Sequence, residues 1–191
     1  MIPERIVLER VVSGGQTGVD IAALRAAKLL GVATGGWLPK GCLTLDGKRP
    51  EYIREYGMQE HASASYAART YANVRDSDAT LRIAVNFQSP GEICTLNAIN
   101  KYDRLFGDVI VHRVHVLRES GILVIDRDDV GYIAEWVLQR NIRVLNVAGN
   151  SENTAPGICA VAELFLTDLI ETLREKTTAA LRRFVARYPA Q

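Results

Sequence analysis

The stretch Leu8–Leu30, LERVVSGGQTGVDIAALRAAKLL, decides the fold. A short apolar run, Ile6–Val12, meets the turn Ser13-Gly14-Gly15-Gln16-Thr17-Gly18, and Ile21, Leu24, Ala27 and Leu30 then recur at the spacing of one helix face. Strand, glycine turn and amphipathic helix make one β–α unit. Three glycines in six residues let the backbone bend tightly, take positive φ and approach a ligand with no Cβ in the way. A loop that empties into a helix also offers unpaired N–H groups and the positive end of the helix dipole, which together favour a phosphate or another anion. Thr17 adds a hydroxyl. The spacing is neither a Walker A loop nor G-x-G-x-x-G, so the turn alone reads either as a phosphate or nucleotide site or as a tight β–α turn.

Working outward, the same design recurs. Val32–Gly36 predicts a second strand, followed by Trp37-Leu38-Pro39-Lys40-Gly41 and a polar connection through Pro50 that can bury little. A helix over Ser63–Asn73 places Tyr66, Arg69, Thr70 and Asn73 on one polar side. Thr80–Asn86 is a strand running into Ser89-Pro90-Gly91 and a helix over Ile93–Leu105. Phe106–Ser120 alternates and leans to strand; Gly121–Asp126 reads as a buried strand and Asp128–Asn141 as a helix. Arg143–Ala148 is a further strand, its loop Gly149–Gly157 feeding a helical region over 156–188. Strands alternating with helices predict a single Rossmann-like domain over 1–191, a three-layer α/β/α arrangement with a mostly parallel sheet. Ligands of such sheets bind outside the carboxyl ends of the strands, where the loops Ser13–Gly18, Asn86–Gly91 and Gly149–Gly157 all emerge.

Composition narrows the function. Lys and Arg total 23 against 22 Asp and Glu, a net charge of +1, so there is no basic footprint for nucleic acid or an anionic membrane. No apolar run approaches a membrane span, and the charges of Glu4 and Arg5 fall where a signal peptide needs an apolar core; the cytoplasm is expected. Cys42, Cys94 and Cys159 form no C-x-x-C pair, which suits a reducing compartment.

With these residues located, the chain resembles the molybdenum-cofactor carrier family, within the Rossmann-like group that includes lysine-decarboxylase-like proteins and the cytokinin-activating phosphoribohydrolases. The matching stretches are Ser13–Leu24, Gly35–Gly41, Asp46-Gly47, the Glu60 to Tyr66 spacing, Tyr66–Leu81, Leu145–Gly149 and Pro156–Ile158. The resemblance implies a phosphorylated pterin or nucleotide-like ligand, the molybdenum cofactor (molybdopterin) or otherwise a phosphate-bearing nucleotide, held without a protein-ligated metal. Residues expected at that ligand are Ser13, Gly14, Gly15, Gln16, Thr17, Gly18, Trp37, Lys40, Arg69, Thr70, Asn73, Asp78, Ser89, Gly91, Thr95, Gly149, Asn150 and Ser151. Family members tend to carry arginines where this chain has Cys42 and Asn150-Ser151, which leaves backbone amides and Arg69 to carry more of the anion binding. The loop aligned with that of the phosphoribohydrolases reads Ser89-Pro90-Gly91-Glu92-Ile93-Cys94-Thr95 and lacks their downstream glutamate.

A binding or carrier protein is therefore the first reading. A nucleotide hydrolase or phosphoribohydrolase-like enzyme, with Glu92 or Asp126 activating water, is the alternative, and a nucleotide sensor the third. Arg69, Thr70 and Asn73 are either a site wall or a solvated face; Asp76 and Asp78 either meet ribose hydroxyls or a metal, or cap a turn. His112 and His115 have metal spacing but no companion ligands. Cys94 and Cys159 sit where a helix dipole would lower a thiol pKa, or are small buried hydrophobes. A homo-oligomer is expected, and Leu181–Arg187 reads as a solvated helix face or as an oligomer contact through Phe184, Val185 and Tyr188 rather than as a basic membrane helix. If the glycine turn is one wall of the pocket, Gly15→Val abolishes binding and leaves the fold largely intact.

Overall fold

The computed structural model describes residues 8–114 and 121–187. In chain order its elements are β1 (Arg10–Val12), α1 (Val19–Leu29), β2 (Ala33–Gly35), β3 (Trp37–Leu38), β4 (Leu43–Thr44), β5 (Gly47–Lys48), α2 (Glu51–Tyr56), β6 (Gln59–Glu60), α3 (Tyr66–Arg75), β7 (Ala79–Ala84), α4 (Pro90–Tyr102), β8 (Leu105–Ile110), β9 (His112–Val114), β10 (Ile122–Val124), α5 (Asp128–Gln139), β11 (Val144–Gly149) and α6 (Ile158–Arg187). Five strands form a wholly parallel sheet in the order β2-β1-β11-β7-β8. Helices α1, α5 and α6 cover one face and α3 with α4 the other, giving the expected three-layer α/β/α Rossmann-like fold.

The apolar alternation explains the layers. Leu81 and Ile83 of β7, with Leu145 and Val147 of β11, join the core made with α1, α5 and α6. Their neighbours Thr80, Arg82 and Asn146 alternate with them, and Asn146 Nδ2 donates to Thr80 Oγ1 at 3.1 Å. All six residues of β7 are buried, as a strand covered on both faces requires.

Strand order carries the functional consequence. The last sheet strand of the chain, β11, lies in the middle of the sheet. Counting β11 and α6 as the first β–α unit converts the order to 3-2-1-4-5, that of the opening strands of a doubly wound Rossmann sheet. The winding reverses between β11 and β7. A crevice is then expected outside the carboxyl ends of those two strands.

Three expectations need correction. Gly121–Asp126 is not a strand of the main sheet: Ile122–Val124 pairs antiparallel with β9, and Ile122 is 57% exposed. Only Leu123 packs into the core, between exposed Ile122 and Val124, which is the alternation of a strand with one face in solvent. The connection through Pro50 buries more than its polarity suggests, because Leu38, Cys42, Tyr56 and Met58 form a second apolar cluster with Ile21 and Leu24 of α1, and Glu51–Tyr56 is a helix. The α4 helix begins at Pro90, a residue whose missing N–H suits a first helical position. The strand leaning of Phe106–Ser120 is met by β8 and β9 as far as Val114. Residues 115–120, with His115, and Tyr188 lie outside the described residues, as do the side chains of Phe184 and Val185.

Two glycines at the crevice separate packing from flexibility. A Cβ on Gly149 would sit 2.1 Å from the Ile83 carbonyl oxygen, whereas one on Gly91 meets nothing within 4 Å. In urea unfolding, Gly149→Ala is expected to lose at least about 2 kcal/mol through overpacking. Gly91→Ala is expected to gain about 0.5–1 kcal/mol from helix propensity and reduced unfolded-state freedom.

Candidate functional site

A cleft of about 400 Å³ opens at the carboxyl ends of β11 and β7, beside the glycine turn. Asn150, the residue after β11, organises it. Its Oδ1 accepts the N–H groups of Val85 and Asn86 at 3.0 and 3.1 Å, and its Nδ2 donates to the Asn86 carbonyl at 3.2 Å and, at a long 3.5 Å, to Glu92 Oε1. Its backbone N–H donates to Ile83 and its carbonyl accepts the Val19 N–H at the start of α1. Its side chain thus fastens the loop after β7 to the first turn of α4, and its backbone ties the end of β7 and the first turn of α1 to the end of β11.

The glycine turn forms the next wall together with α3. Arg69 reaches across Gly14 so closely that a Cβ there would lie 1.7 Å from its Nη1. That Nη1 is 3.2 Å from Asp20 Oδ2, with the two side chains only 12% and 5% exposed. Asp20 Oδ2 also accepts the Gln16 N–H at 3.3 Å. Burial raises the Asp20 carboxyl above the usual range, and the Arg69 guanidinium opposes the shift. Arg69 Nε is buried and makes no hydrogen bond. Gln16 Oε1 accepts the N–H groups of Thr17 and Leu45 at 2.9 and 2.7 Å, pinning the β4–β5 hairpin to the turn.

The third wall is the first turn of α4. Ser89 is the N-cap and Glu92 stands three residues on, the spacing of a capping box, yet no side-chain cap bond forms. The Glu92 carboxyl turns inward instead. Glu92 is 2% exposed, and its Oε2 has no hydrogen-bond partner. Burial pushes its pKa up to about 7; Arg82 pulls it down, while Asp20 and Asp108 push it further up. The Arg82 guanidinium is itself committed, held in a fork by Asp108 at 2.8 and 2.5 Å.

Of the residues singled out from the sequence, Gln16, Arg69, Thr70, Ser89, Gly91, Glu92, Thr95, Gly149, Asn150 and Ser151 line this one cleft. The others do different work. Ser13 is buried with its hydroxyl on the Val147 carbonyl at 2.7 Å, and Gly14 lies beneath Arg69. Gly15, Thr17 and Gly18 face a neighbouring depression of about 480 Å³ beside Arg25, Arg49 and Tyr52. A Cβ on Gly15, whose φ is +66°, would come within 2.9 Å of Leu38 and 3.1 Å of Met58, so Gly15→Val disturbs the second apolar cluster and is no clean test of binding. Asn73 binds the Trp37 backbone, Trp37 Nε1 donates to Asp76, and Lys40 is exposed away from the cleft. Asp78 precedes β7, at the opposite edge of the sheet, where Oδ2 accepts the N–H groups of Arg143 and Val144. Asp126 accepts the Asp128 N–H at the start of α5.

Asp20, Leu45, Cys94 and Thr154 also line the cleft. Asp20 carries no site signal in the sequence, because an acid in the first turn of a helix reads as a dipole complement. Burial raises the thiols of Cys94 and Cys159, opposite to the lowering expected from a helix terminus. The N-terminus of α6 is already filled: Glu152 accepts the N–H groups of Gly157 and Cys159 at 2.5 and 3.0 Å. Among the described residues no group of three or more His, Cys, Asp or Glu could hold a metal ion, and no helix is long and apolar enough to cross a membrane.

The strand order and the crevice are those of a permuted Rossmann unit, and the sequence model of the circularly permutated YpsA SLOG family matches residues 11–170. The chain belongs to this family. SLOG denotes the lysine-decarboxylase-like superfamily. A circular permutation agrees with the sheet, where β11 and α6 fill the place of a first β–α unit. The chain is also similar to a solved structure from Syntrophus aciditrophicus SB, named "Putative molybdenum carrier protein", with 31% identity over 87% of this chain and 95% of that one and a TM-score of 0.71. A structure from Pseudomonas putida KT2440 named "putative oxidoreductase" aligns at 12% identity over 94% of this chain and 70% of that one, with a TM-score of 0.31 that carries no argument. No curated protein matches.

The Glu92 site makes a stability prediction. A carboxyl raised from 4.5 to about 7 in the folded state favours folding below pH 4.5, and that contribution is lost as pH rises through 7. Glu92→Gln removes the titration. Its stability relative to the parent protein, from urea unfolding, is expected to rise between pH 4.5 and 8 by up to about 3 kcal/mol.

Proposed function

We propose that this protein is a carrier-type binding protein that holds a small phosphate-bearing ligand, pterin- or nucleotide-like, in the cleft between β11 and β7. One observation carries the reading: loops from β1, β7 and β11 converge on the cleft at the point where the strand order reverses. An anion there meets Arg69 and the first-turn N–H groups of α4, which have no partner within the helix. The relative from Syntrophus aciditrophicus supports the molybdenum cofactor as the ligand. The residues present fit its phosphate through Arg69 and the turn Pro90–Glu92, and no protein thiolate is required of them. A homo-oligomer and a cytoplasmic location complete the proposal.

Glu92 favours a second reading, a nucleotide hydrolase. A buried carboxyl with a pKa near 7 is suited to general acid–base work, and release of free base or ribose 5-phosphate from nucleoside monophosphates, lost in Glu92→Gln, would support it.

The carrier reading is tested by titrating molybdopterin and AMP against the parent protein and the double variant Arg69→Ala/Asp20→Asn, which avoids stranding a buried carboxylate. Loss of a charge-assisted bond worth about 1.5–3 kcal/mol predicts binding weakened roughly 10- to 150-fold. Absence of any thermal shift with either ligand would count against the reading.

A further inference from the structure

The charges beneath the cleft do not balance. Two arginines meet three carboxylates: Arg69 on α3 is taken by Asp20 on α1, and Arg82 on β7 is taken by Asp108 on β8. Arg82 also lies over the rings of Phe87 and Phe106. Glu92 is left with only the Asn150 amide from the loop after β11, and its Oε2 is buried without a hydrogen bond. The remaining titratable neighbour on its own helix and in the cleft, Cys94, is a thiol that burial keeps neutral. Glu92 also belongs to the very turn of α4 whose free N–H groups, those of Gly91 and Glu92, offer the anion site.

Resting on the ligand-binding reading above, we propose that anion binding in this cleft is coupled to uptake of one proton by Glu92. The exchange balances simply: the anion enters, a proton from solvent joins Glu92 Oε2, and the cluster holds the added negative charge as a neutral carboxylic acid beside two arginine–carboxylate pairs. Without that proton, the ligand would place a second unneutralised negative charge against a buried one, in a region where water screens little. The position of Glu92 near pH 7 makes the coupling operate in the neutral range. Glu92 thus sets the pH range over which ligand is held.

The experiment is calorimetric titration of AMP into the full chain at pH 7 and 8, in buffers of different ionisation enthalpy, with the parent protein and Glu92→Gln. For a site that binds only with Glu92 protonated and a pKa of about 7, the apparent Kd rises about fivefold from pH 7 to 8. Proton uptake at pH 8 is then about 0.9 per AMP bound. In Glu92→Gln the uptake falls to near zero and the affinity is flat over this range. Binding by the parent protein without proton uptake, or equal uptake by Glu92→Gln, overturns the coupling while leaving the carrier reading in place. No binding of AMP or of molybdopterin at either pH overturns the carrier reading itself, and the coupling with it.

Discussion

The cleft depends on one asparagine. Asn150 makes four side-chain contacts and two backbone hydrogen bonds to residues of β7, its following loop, α1 and α4, all while 2% exposed. Parallel strands are held along their length by their own ladder, but nothing in the ladder fixes how the loops beyond it diverge. Asn150 supplies that constraint at the reversal of strand order. Close approach follows from it: Gly18 has to be glycine because a Cβ would meet the Asn150 carbonyl at 2.4 Å, and its φ of +84° suits no other residue well.

In the proposed function, anion recognition is correspondingly indirect. Arg69 is already paired with Asp20, so the site holds its cation preorganised and nearly neutral rather than as a bare positive charge. The N-terminus of α6, the place of first resort in an unpermuted Rossmann unit, is blocked by the Glu152 carboxylate. The first turns of α3, through Tyr66 and Ala67, and of α4 meet the cleft, and Glu92 stands on the second. Fold, charge pairing and cleft therefore point to the same small region.

Much of this was legible in the sequence, for physical reasons. Short apolar runs followed by glycine-containing loops mark β1, β7 and β11, and the rule for parallel sheets brings their loops to one edge. Arg69 and Thr70 were legible as a polar helix side, but their neighbour Asn73 was not separable from them, because spacing does not tell a bond to the Trp37 backbone from an open face. Asp126 failed for a different reason: ending a strand places a residue at the ligand edge only if that strand joins the main sheet, and Ile122–Val124 pairs with β9 instead. Strand order leaves no trace in periodicity, so neither the permutation nor the roles of Asn150 and Glu92 could be read before the fold. The resemblance carried by Ser13–Leu24 and the later blocks reached the right superfamily all the same.

The claim that this crevice binds a small anionic ligand is tested most directly by amide chemical shifts in a titration with AMP. The account predicts perturbations centred on Gln16, Arg69–Thr70, Gly91–Thr95 and Gly149–Ser151, the residues that share the cleft. Perturbations centred instead on the depression beside Arg49, Tyr52 and Asn153, or none with AMP and none with molybdopterin, would contradict it.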